Sequence, residues 1–409
     1  MRKFKNIALK ILTYMFSSLN FIILITLLFF IFKKGIGLVS LDLIKGDYYN
    51  QTFILHTDKN TTLNNLDYKP SDDEYYSSKW GVSFKDSENK VGEKVVIISY
   101  IHPKSIFNNL INNSDETIKV EQGYIFQTAI LNNNTAFSKY GAKEVRDTFD
   151  NATSINNMTL ITEGGGIRGS IIATLLMIFF TLLLSLPLGI LTAIYLQEFS
   201  KENKLTRLIR SSIELLSGIP SIIFGMVGAI LFIPFTNKLI NSNGGNIISG
   251  SLTLTIMLLP IIIRTTEESL KVIPKEFREQ SYALGANKVQ TILKIVLPNA
   301  LGGILSATIM AISRIIGESA ALIFAVGTSI KDKVRLNDTA TTLAVHIWSI
   351  MGGESPNYEL ASAISIIILI IVLFLNILSK ILVKRLRRNI WKKYLNVKIL
   401  IYPMEKNMF

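Results

Sequence analysis

The stretch of this chain best suited to chemistry is Ala311-Ile-Ser-Arg-Ile-Ile-Gly-Glu-Ser-Ala320, where Arg314 and Glu318 interrupt an apolar run. At i and i+4 the two share one face of a helix. An arginine in the middle of a hydrocarbon layer costs about 2.5–3.5 kcal/mol even on insertion scales, and an ion pair offsets part of that. Two readings follow. In one, the planar fork of Arg314 receives a multivalent oxyanion, and Glu318 holds that fork when no anion is present. In the other, the pair only fixes helix register. Gly317 lets another helix or a ligand come close. Arg264, in Leu258-Leu-Pro-Ile-Ile-Ile-Arg264, is a second candidate for an ion path at the inner mouth; the plainer reading is a basic residue at the end of a span.

A second stretch, Glu279 to Pro298, reads EQSYALGANKVQTILKIVLP and is polar, basic and helix-prone. Pro274 suits the start of a helix, because its missing N–H falls among the unpaired first-turn donors. Phe277, Ser281 and Leu284 follow at i, i+4 and i+7, which predicts one shared face. Gly285 can take the left-handed turn that stops this helix. A second helix fits Asn287 to Val296, with Val289, Ile292, Leu293 and Val296 as its apolar stripe, and Pro298 marks the next boundary. Two short amphipathic helices bent at a glycine suit insertion into a groove on a soluble partner.

Both stretches need rigid elements to hold them, and hydropathy supplies these. Of 409 residues 49% are hydrophobic, with a mean hydropathy of +0.38. Several runs approach the ~20 apolar residues that cross a hydrocarbon core. The spans read as Ile11–Phe32, Ser170–Leu196 (kinked at Pro187), Ser211–Phe235, Ser251–Arg264, Gly302–Val326 and Ala361–Val383. Ser217-Gly-Ile-Pro-Ser221 interrupts the third, which predicts a segment facing the bundle interior. Gln197–Arg210 reads as a short polar loop, and Trp348 as part of a short interfacial helix. The first run is longer than a signal-peptide core and lacks an Ala-x-Ala site, so it reads as an uncleaved span.

Charge orients these spans. The net charge is +13, but residues 35–165 carry twelve Lys+Arg against seventeen Asp+Glu, a net of −5, leaving +18 for the rest. This asymmetry follows the positive-inside rule rather than a nucleic-acid footprint. It puts both termini inside, the stretch 265–298 in the cytoplasm and 35–165 outside. Lys33-Lys34 and the outer Lys331, Lys333 and Arg335 run weakly against it. The organisation is therefore 1–34, an N-terminus and first span; 35–165, an outer insertion; 166–383, a five-helix core containing the cytoplasmic loop 265–298; and 384–409, a basic cytoplasmic tail opened by Lys384-Arg-Leu-Arg-Arg388. Within the insertion, Val95–Ile101 and Tyr124–Leu131 read as strands, and Asn112-Asn113, Asn132–Asn134 and Asn156-Asn157 as turns. The fold class is an all-α polytopic membrane protein of six spans with a small β-containing extracytoplasmic insertion. His102, in Ile-His-Pro, reads as a strand-end residue. Arg168, at the mouth of the second span, reads as an interface anchor.

The chain has no cysteine, which excludes disulfides and thiol chemistry, and its three histidines, His56, His102 and His346, argue against a histidine-rich metal centre. No G-x-x-x-x-G-K-[ST] is present, so no P-loop nucleotide site is expected. An intramembrane enzyme is unsupported, lacking paired membrane aspartates, His-Glu-x-x-His and Gly-x-Ser-x-Gly.

Glu279, Gly285, Ile295, Leu297 and Pro298 resemble the EAA loop of ABC importer permeases; Gln280 and Ser281 stand where that loop has alanines. From Gly164 to Val383 the order of motifs looks like the PstA-type permease subunit of phosphate ABC importers. The carriers are Gly166-Ile-Arg-Gly-Ser170, Pro187-Leu-Gly-Ile190, Ser217-Gly-Ile-Pro-Ser221, Ile263-Arg-Thr-Thr-Glu-Glu268 and Arg314-Ile-Ile-Gly-Glu-Ser-Ala320. The insertion 35–165 departs from that family, whose first outer loop is usually shorter. The resemblance implies a non-catalytic subunit of the cell membrane, surrounded by lipid, with no cofactor of its own. Its expected partners are a PstC-type sister permease, two copies of a cytoplasmic ATPase holding ATP-Mg, and an extracytoplasmic phosphate-binding protein; no nucleic acid is expected. It assigns Glu279, Gly285, Ile295, Leu297 and Pro298 to ATPase coupling, and Arg314, Glu318 and Arg264 to the substrate path. Two competing readings are a permease for another solute and a membrane-anchored receptor or adhesin built on residues 35–165. The second leaves the loop motif and Arg314 unexplained, and co-purification of an ATPase separates the two.

Overall fold

The computed structural model describes residues 2–58, 65–89, 93–132, 134–201, 203–352 and 356–401, with only the helical backbone at 2–5, 8 and 386–401. The chain divides into two compact units, residues 45–166 and residues 1–44 with 167–409.

The larger unit is helical. It opens with α1 (Arg2–Gly35) and the short α2 (Leu41–Lys45). Nearly every side chain of α1 is exposed, as suits a helix solvated by lipid, and Gly35 meets the backbone of Ser362 and Ala363 where a Cβ would not fit.

The smaller unit is one antiparallel sheet with a helix packed on it. Its strands are β1 (Gln51–His56), β2 (Tyr75–Ser77), β3 (Val82–Glu88), β4 (Lys94–Ile101), β5 (Leu110–Asn112), β6 (Thr117–Ile118), β7 (Ile125–Leu131), β8 (Thr135–Phe137) and β9 (Ile155–Thr162), with α3 (Ala142–Asp150) between the last two. The order is β2-β3-β4-β7-β9-β1-β5-β6, with β8 beside β7. Its core is aromatic: Trp80, Phe84, Phe107, Phe126 and Phe149 are fully buried. The Trp80 indole N–H donates to Phe149 O at 2.7 Å, which satisfies the one polar atom that burial would strand. The two strands read from β-branched and aromatic content are β4 and β7, each within a residue of the expected start. Asn112 ends β5 as a turn residue should. Asn156 and Asn157 are not a turn: they lie inside β9, with exposed side chains between the buried Ile155 and Met158. His102 follows β4, and its Nδ1 accepts Lys104 N–H at 3.1 Å, a local turn contact.

The helical unit continues with α4 (Arg168–Ile194), which contains Pro187 and ends in a π-turn at Tyr195–Phe199. Then come α5 (Lys204–Gly218), α6 (Ser221–Val227), a π-turn at Gly228–Phe232, α7 (Ile233–Ile240) and α8 (Ile247–Lys271). Next are α9 (Lys275–Ala283), α10 (Lys288–Thr291), a π-turn at Ile292–Val296, α11 (Leu297–Gly317), α12 (Ala320–Ala325), α13 (Leu343–Met351) and α14 (Tyr358–Ile401). Six segments among the described residues are long and apolar enough to cross a membrane: Leu9–Leu38, Arg168–Phe199, Ser221–Ile240, Ile247–Lys271, Lys288–Gly317 and Tyr358–Arg385. The spine of the unit is α4 against α8, packed so closely that a Cβ at Gly189 would collide with Ile262.

Several boundaries differ from those read in the sequence. The third span begins at Ser221, not Ser211, because Ile219 before Pro220 is extended (φ −75°, ψ 129°) and ends α5. The break itself lies exposed or half-exposed rather than in the interior of this chain. The predicted loop 197–210 is instead the π-turn followed by α5, whose N-terminus Asn203 caps through Thr206 N–H at 2.8 Å. The fourth span starts earlier, at an Asn246/Ser249 capping box, and continues seven residues past Arg264. The predicted boundary at Pro298 is absent: the π-turn absorbs it, and Pro298 occupies the first turn of α11, where its missing N–H costs nothing. The basic tail from Lys384 is helical as far as Ile401, while 402–409 lie outside the described residues.

Candidate functional site: the helix break and the arginine clasp

The predicted fifth span is two helices. Gly317 ends α11, Glu318 is extended (φ −79°, ψ 123°) and Ser319 precedes α12. Arg314 and Glu318 therefore share no helix face, and no ion pair joins them among the described residues. The buried Glu318 turns to its own chain instead, where Oε1 accepts Ala321 N–H at 3.2 Å and occupies a first-turn donor of α12. Arg314 is left exposed, with no acidic partner among the described residues. It lies near the α12 end of α11, three residues before the helix stops. Met310, Arg314 and Gly317, at i, i+4 and i+7, form one uncovered stripe. A Cβ at Gly317 would meet nothing among the described residues, so the close approach expected there is not made among them. Arg264 is part of α8, two turns before its end, and among the described residues its ion-pair partner is the exposed Glu214 at 3.8 Å.

At the other end of the helices, the loop motif forms a two-helix hairpin. Asn287 caps α10 with Gln290 in a reciprocal capping box. Gly285 takes the left-handed conformation (φ +83°) that the turn requires. Ser281 and Thr291 hydrogen-bond across the hairpin at 2.8 Å, both buried. The predicted faces are partly redistributed. Ser281 packs inward, but Leu284 has left the helix and is 89% exposed at the turn. Of the second stripe, Ile292 and Val296 are buried while Val289 and Leu293 face out. Ile292 and Val296, four apart, form the covered edge of that stripe, and Val289 and Leu293, also four apart, its open edge. Glu279 and Gly285 are exposed, and Ile295, Leu297 and Pro298 half-buried.

Two arginines that sequence reasoning passed over tie this hairpin and its neighbours to the spans. Arg278 in α9 reaches Glu198, in the π-turn ending α4, with Nη2 to Oε1 at 2.6 Å and Nε to Oε2 at 3.3 Å. Its remaining donors meet Leu270 O at 3.1 Å and Ile273 O at 2.9 Å, at the C-terminal end of α8. Arg210 in α5 binds Glu267 of α8 at 2.9 Å and Leu196 O of the same π-turn at 3.1 Å. Glu198 and Glu267 are both more than nine-tenths buried as side chains. The available signal was their placement: a carboxylate at the end of an apolar run is costly to bury alone, so each demanded a cation nearby. Among the described residues no cluster of three metal-ligating side chains occurs.

A bundle of apolar helices around an α4–α8 spine, with a basic two-helix hairpin between two of them, is the design of a membrane-spanning transport subunit. Residues 185–392 match the family described as "Binding-protein-dependent transport system inner membrane component", and this chain belongs to it. Residues 45–166 lie outside that match. Among similar curated proteins, the "Probable ABC transporter permease protein YqgI" of Bacillus subtilis (strain 168) is 35% identical over 54% of this chain and 78% of its own length. The "Phosphate transport system permease protein PstA" of Yersinia pestis is 33% identical over 54% of this chain and 73% of its own. Among solved structures, a chain of the MetNI methionine ABC transporter in an inward-facing conformation covers 54% of this chain and 95% of that one, at 25% identity and a TM-score of 0.43, a likeness too slight to carry an argument. The protein is a multi-pass, non-catalytic permease subunit of an ABC importer.

Proposed function

We propose that this chain is the PstA-type subunit of an ATP-driven importer of inorganic phosphate. The observation that carries this reading is the Arg314 guanidinium, exposed on a helix otherwise covered or apolar and free of any acidic partner among the described residues. A guanidinium in that state offers a bidentate fork to an oxyanion. The phosphate permeases among the relatives support the choice of anion. The uncovered stripe Met310–Arg314–Gly317 suits a path shared with a PstC-type sister permease. Glu318, seated at the start of α12, keeps a negative charge near the path and helps reject stray anions; Arg264 serves the inner mouth. The hairpin at 275–296 seats on one of two copies of a cytoplasmic ATPase, with Leu284, Val289 and Leu293 as its exposed apolar contacts. ATP-Mg belongs to that ATPase, this chain needs no cofactor, and an extracytoplasmic phosphate-binding protein delivers the ion. Both termini are cytoplasmic in this orientation, following the charge asymmetry of the loops.

The test is uptake of labelled inorganic phosphate into vesicles holding the complete transporter, wild type against Arg314→Ala, with ATP hydrolysis followed in parallel. Losing one charge-assisted contact of about 1.5–3 kcal/mol lowers uptake about 10- to 100-fold while assembly and hydrolysis persist. Unchanged uptake removes Arg314 from the ion path. A wild-type transporter that moves a different solute ends the phosphate assignment and leaves the importer class standing.

A further inference from the structure

We propose that Arg278 and Arg210 are the clasp that makes the coupling hairpin and the cytoplasmic ends of α4 and α8 move as one body, so that displacement of the hairpin reaches the spans. The proposal rests on the coupling role given to the hairpin above and adds the residues through which it acts.

The argument begins with the π-turn at Tyr195–Phe199. Widening the turn leaves carbonyl oxygens short of intrahelical donors. Leu196 O is filled from outside, by Arg210 at 3.1 Å and by the Ser200 hydroxyl at 2.7 Å. The same turn carries Glu198. The C-terminal end of α8 has the same deficit, since the last four carbonyls of any helix lack partners. There Leu270 O, whose backbone donor Ile273 N–H is long at 3.4 Å, and the following Ile273 O both accept from Arg278. Each guanidinium thus spans both helices. Arg278 takes the Glu198 carboxylate from α4 and two carbonyls from the end of α8. Arg210 takes Leu196 O from α4 and the Glu267 carboxylate from α8.

The two clips differ in what they attach. Arg210 attaches the amphipathic helix α5, and Arg278 attaches α9, one arm of the hairpin. The other arm has its own tie, since the Lys288 ammonium lies 5.0 Å over the Phe199 ring at the end of α4. The Ser281–Thr291 bond joins the two arms. A pull on the exposed turn at Leu284–Gly285 therefore meets no flexible joint before α4 and α8. The Arg278–Glu198 pair is the tightest link, its side chains 15% and 7% exposed, and a guanidinium with five protein acceptors cannot rotate away without leaving a carboxylate buried alone. Arg210 and Arg278 are positioning residues: neither is assigned to the solute.

The chain contains no cysteine, so two introduced ones are unique within it. Spin labels at Ala283→Cys at the end of α9 and Leu205→Cys on α5 are measured in the complete transporter with cysteine-free partners, with and without nucleotide trapped by vanadate. The expected result is one narrow distance in both states, at least a twofold broader distribution in Glu198→Gln, and an intermediate one in Arg278→Lys. In parallel, labelled inorganic phosphate uptake per ATP hydrolysed falls at least tenfold in Glu198→Gln, while hydrolysis stays within twofold of wild type. A narrow distance and unchanged coupling in Glu198→Gln overturn the clasp. So does a variant that merely fails to retain the ATPase, because the pair then serves assembly rather than transmission. If the distances behave as expected but the wild type takes up no phosphate, the phosphate reading falls and the clasp stands.

Discussion

Three arginines in the helical unit sit in two contrasting settings. At the clasp, Arg210 and Arg278 are engaged: each bonds a buried carboxylate and at least one backbone carbonyl near the ends of α4 or α8. At the α11–α12 break, Arg314 has no acidic partner, and the glutamate nearest in sequence is engaged with its own backbone. The difference separates two uses of one side chain. A guanidinium paired with a buried carboxylate stabilises and transmits; one held out from a helix with its fork empty is available to a partner or an anion.

The contrast can be tested first where removal should hurt folding most. Arg278→Ala strands the Glu198 carboxylate and uncaps α8, so the thermal midpoint of the purified protein drops by an amount corresponding to about 3 kcal/mol; a midpoint within a degree of wild type would erase the distinction. A buried but neutral group offers a control of similar size. His346, in α13, accepts or donates through Nδ1 with the Ser170 hydroxyl at 2.8 Å, and burial pulls its pKa from 6.5 down to about 4, against a smaller opposing pull from Asp332. Its folded pKa lies below its unfolded one, so unfolding takes up a proton between these values. Stability is full above about pH 6.5 and declines as pH falls toward 4, by about 3 kcal/mol in all. His346→Asn should flatten that part of the midpoint–pH curve, and an unaltered slope would reject the assignment.

A smaller loss is expected at the hairpin turn. Gly285→Ala places a Cβ at φ +83°, costing about 1 kcal/mol, and should loosen the turn without touching either clip. Trypsin nicking near Lys288 would report it by faster cleavage. The smallest effect on stability belongs to the residue given the largest effect on transport. Arg314→Ala should leave the midpoint within about 0.5 kcal/mol of wild type. A large destabilisation there would mean that Arg314 is a structural residue after all.

Much of the fold was legible in the sequence, because hydropathy over some twenty residues and loop charge report directly on solvent, and six apolar segments duly appear. The hairpin, its start after Pro274, its left-handed Gly285 and its Asn287 start were legible for the same reason: caps and turns are local chemistry. Strands β4 and β7 announced themselves by composition, while the Asn156-Asn157 pair misled, since turn-prone residues are tolerated on the exposed face of a strand held by its neighbours.

What the sequence could not decide were matters of partner and phase. Arg314 and Glu318 are four residues apart, and only a continuous helix would have joined them; whether a helix breaks at a glycine depends on what its far side packs against. The π-turns at 195–199, 228–232 and 292–296 carry no composition of their own, yet the first holds out Leu196 O and Glu198 for arginines from distant segments. Spans, termini of helices and the glycine turn follow from local free energies that each short segment settles alone. The clasp and the empty fork of Arg314 arise from long-range satisfaction of charges and carbonyls, which exists only once α4, α5, α8 and α9 are assembled.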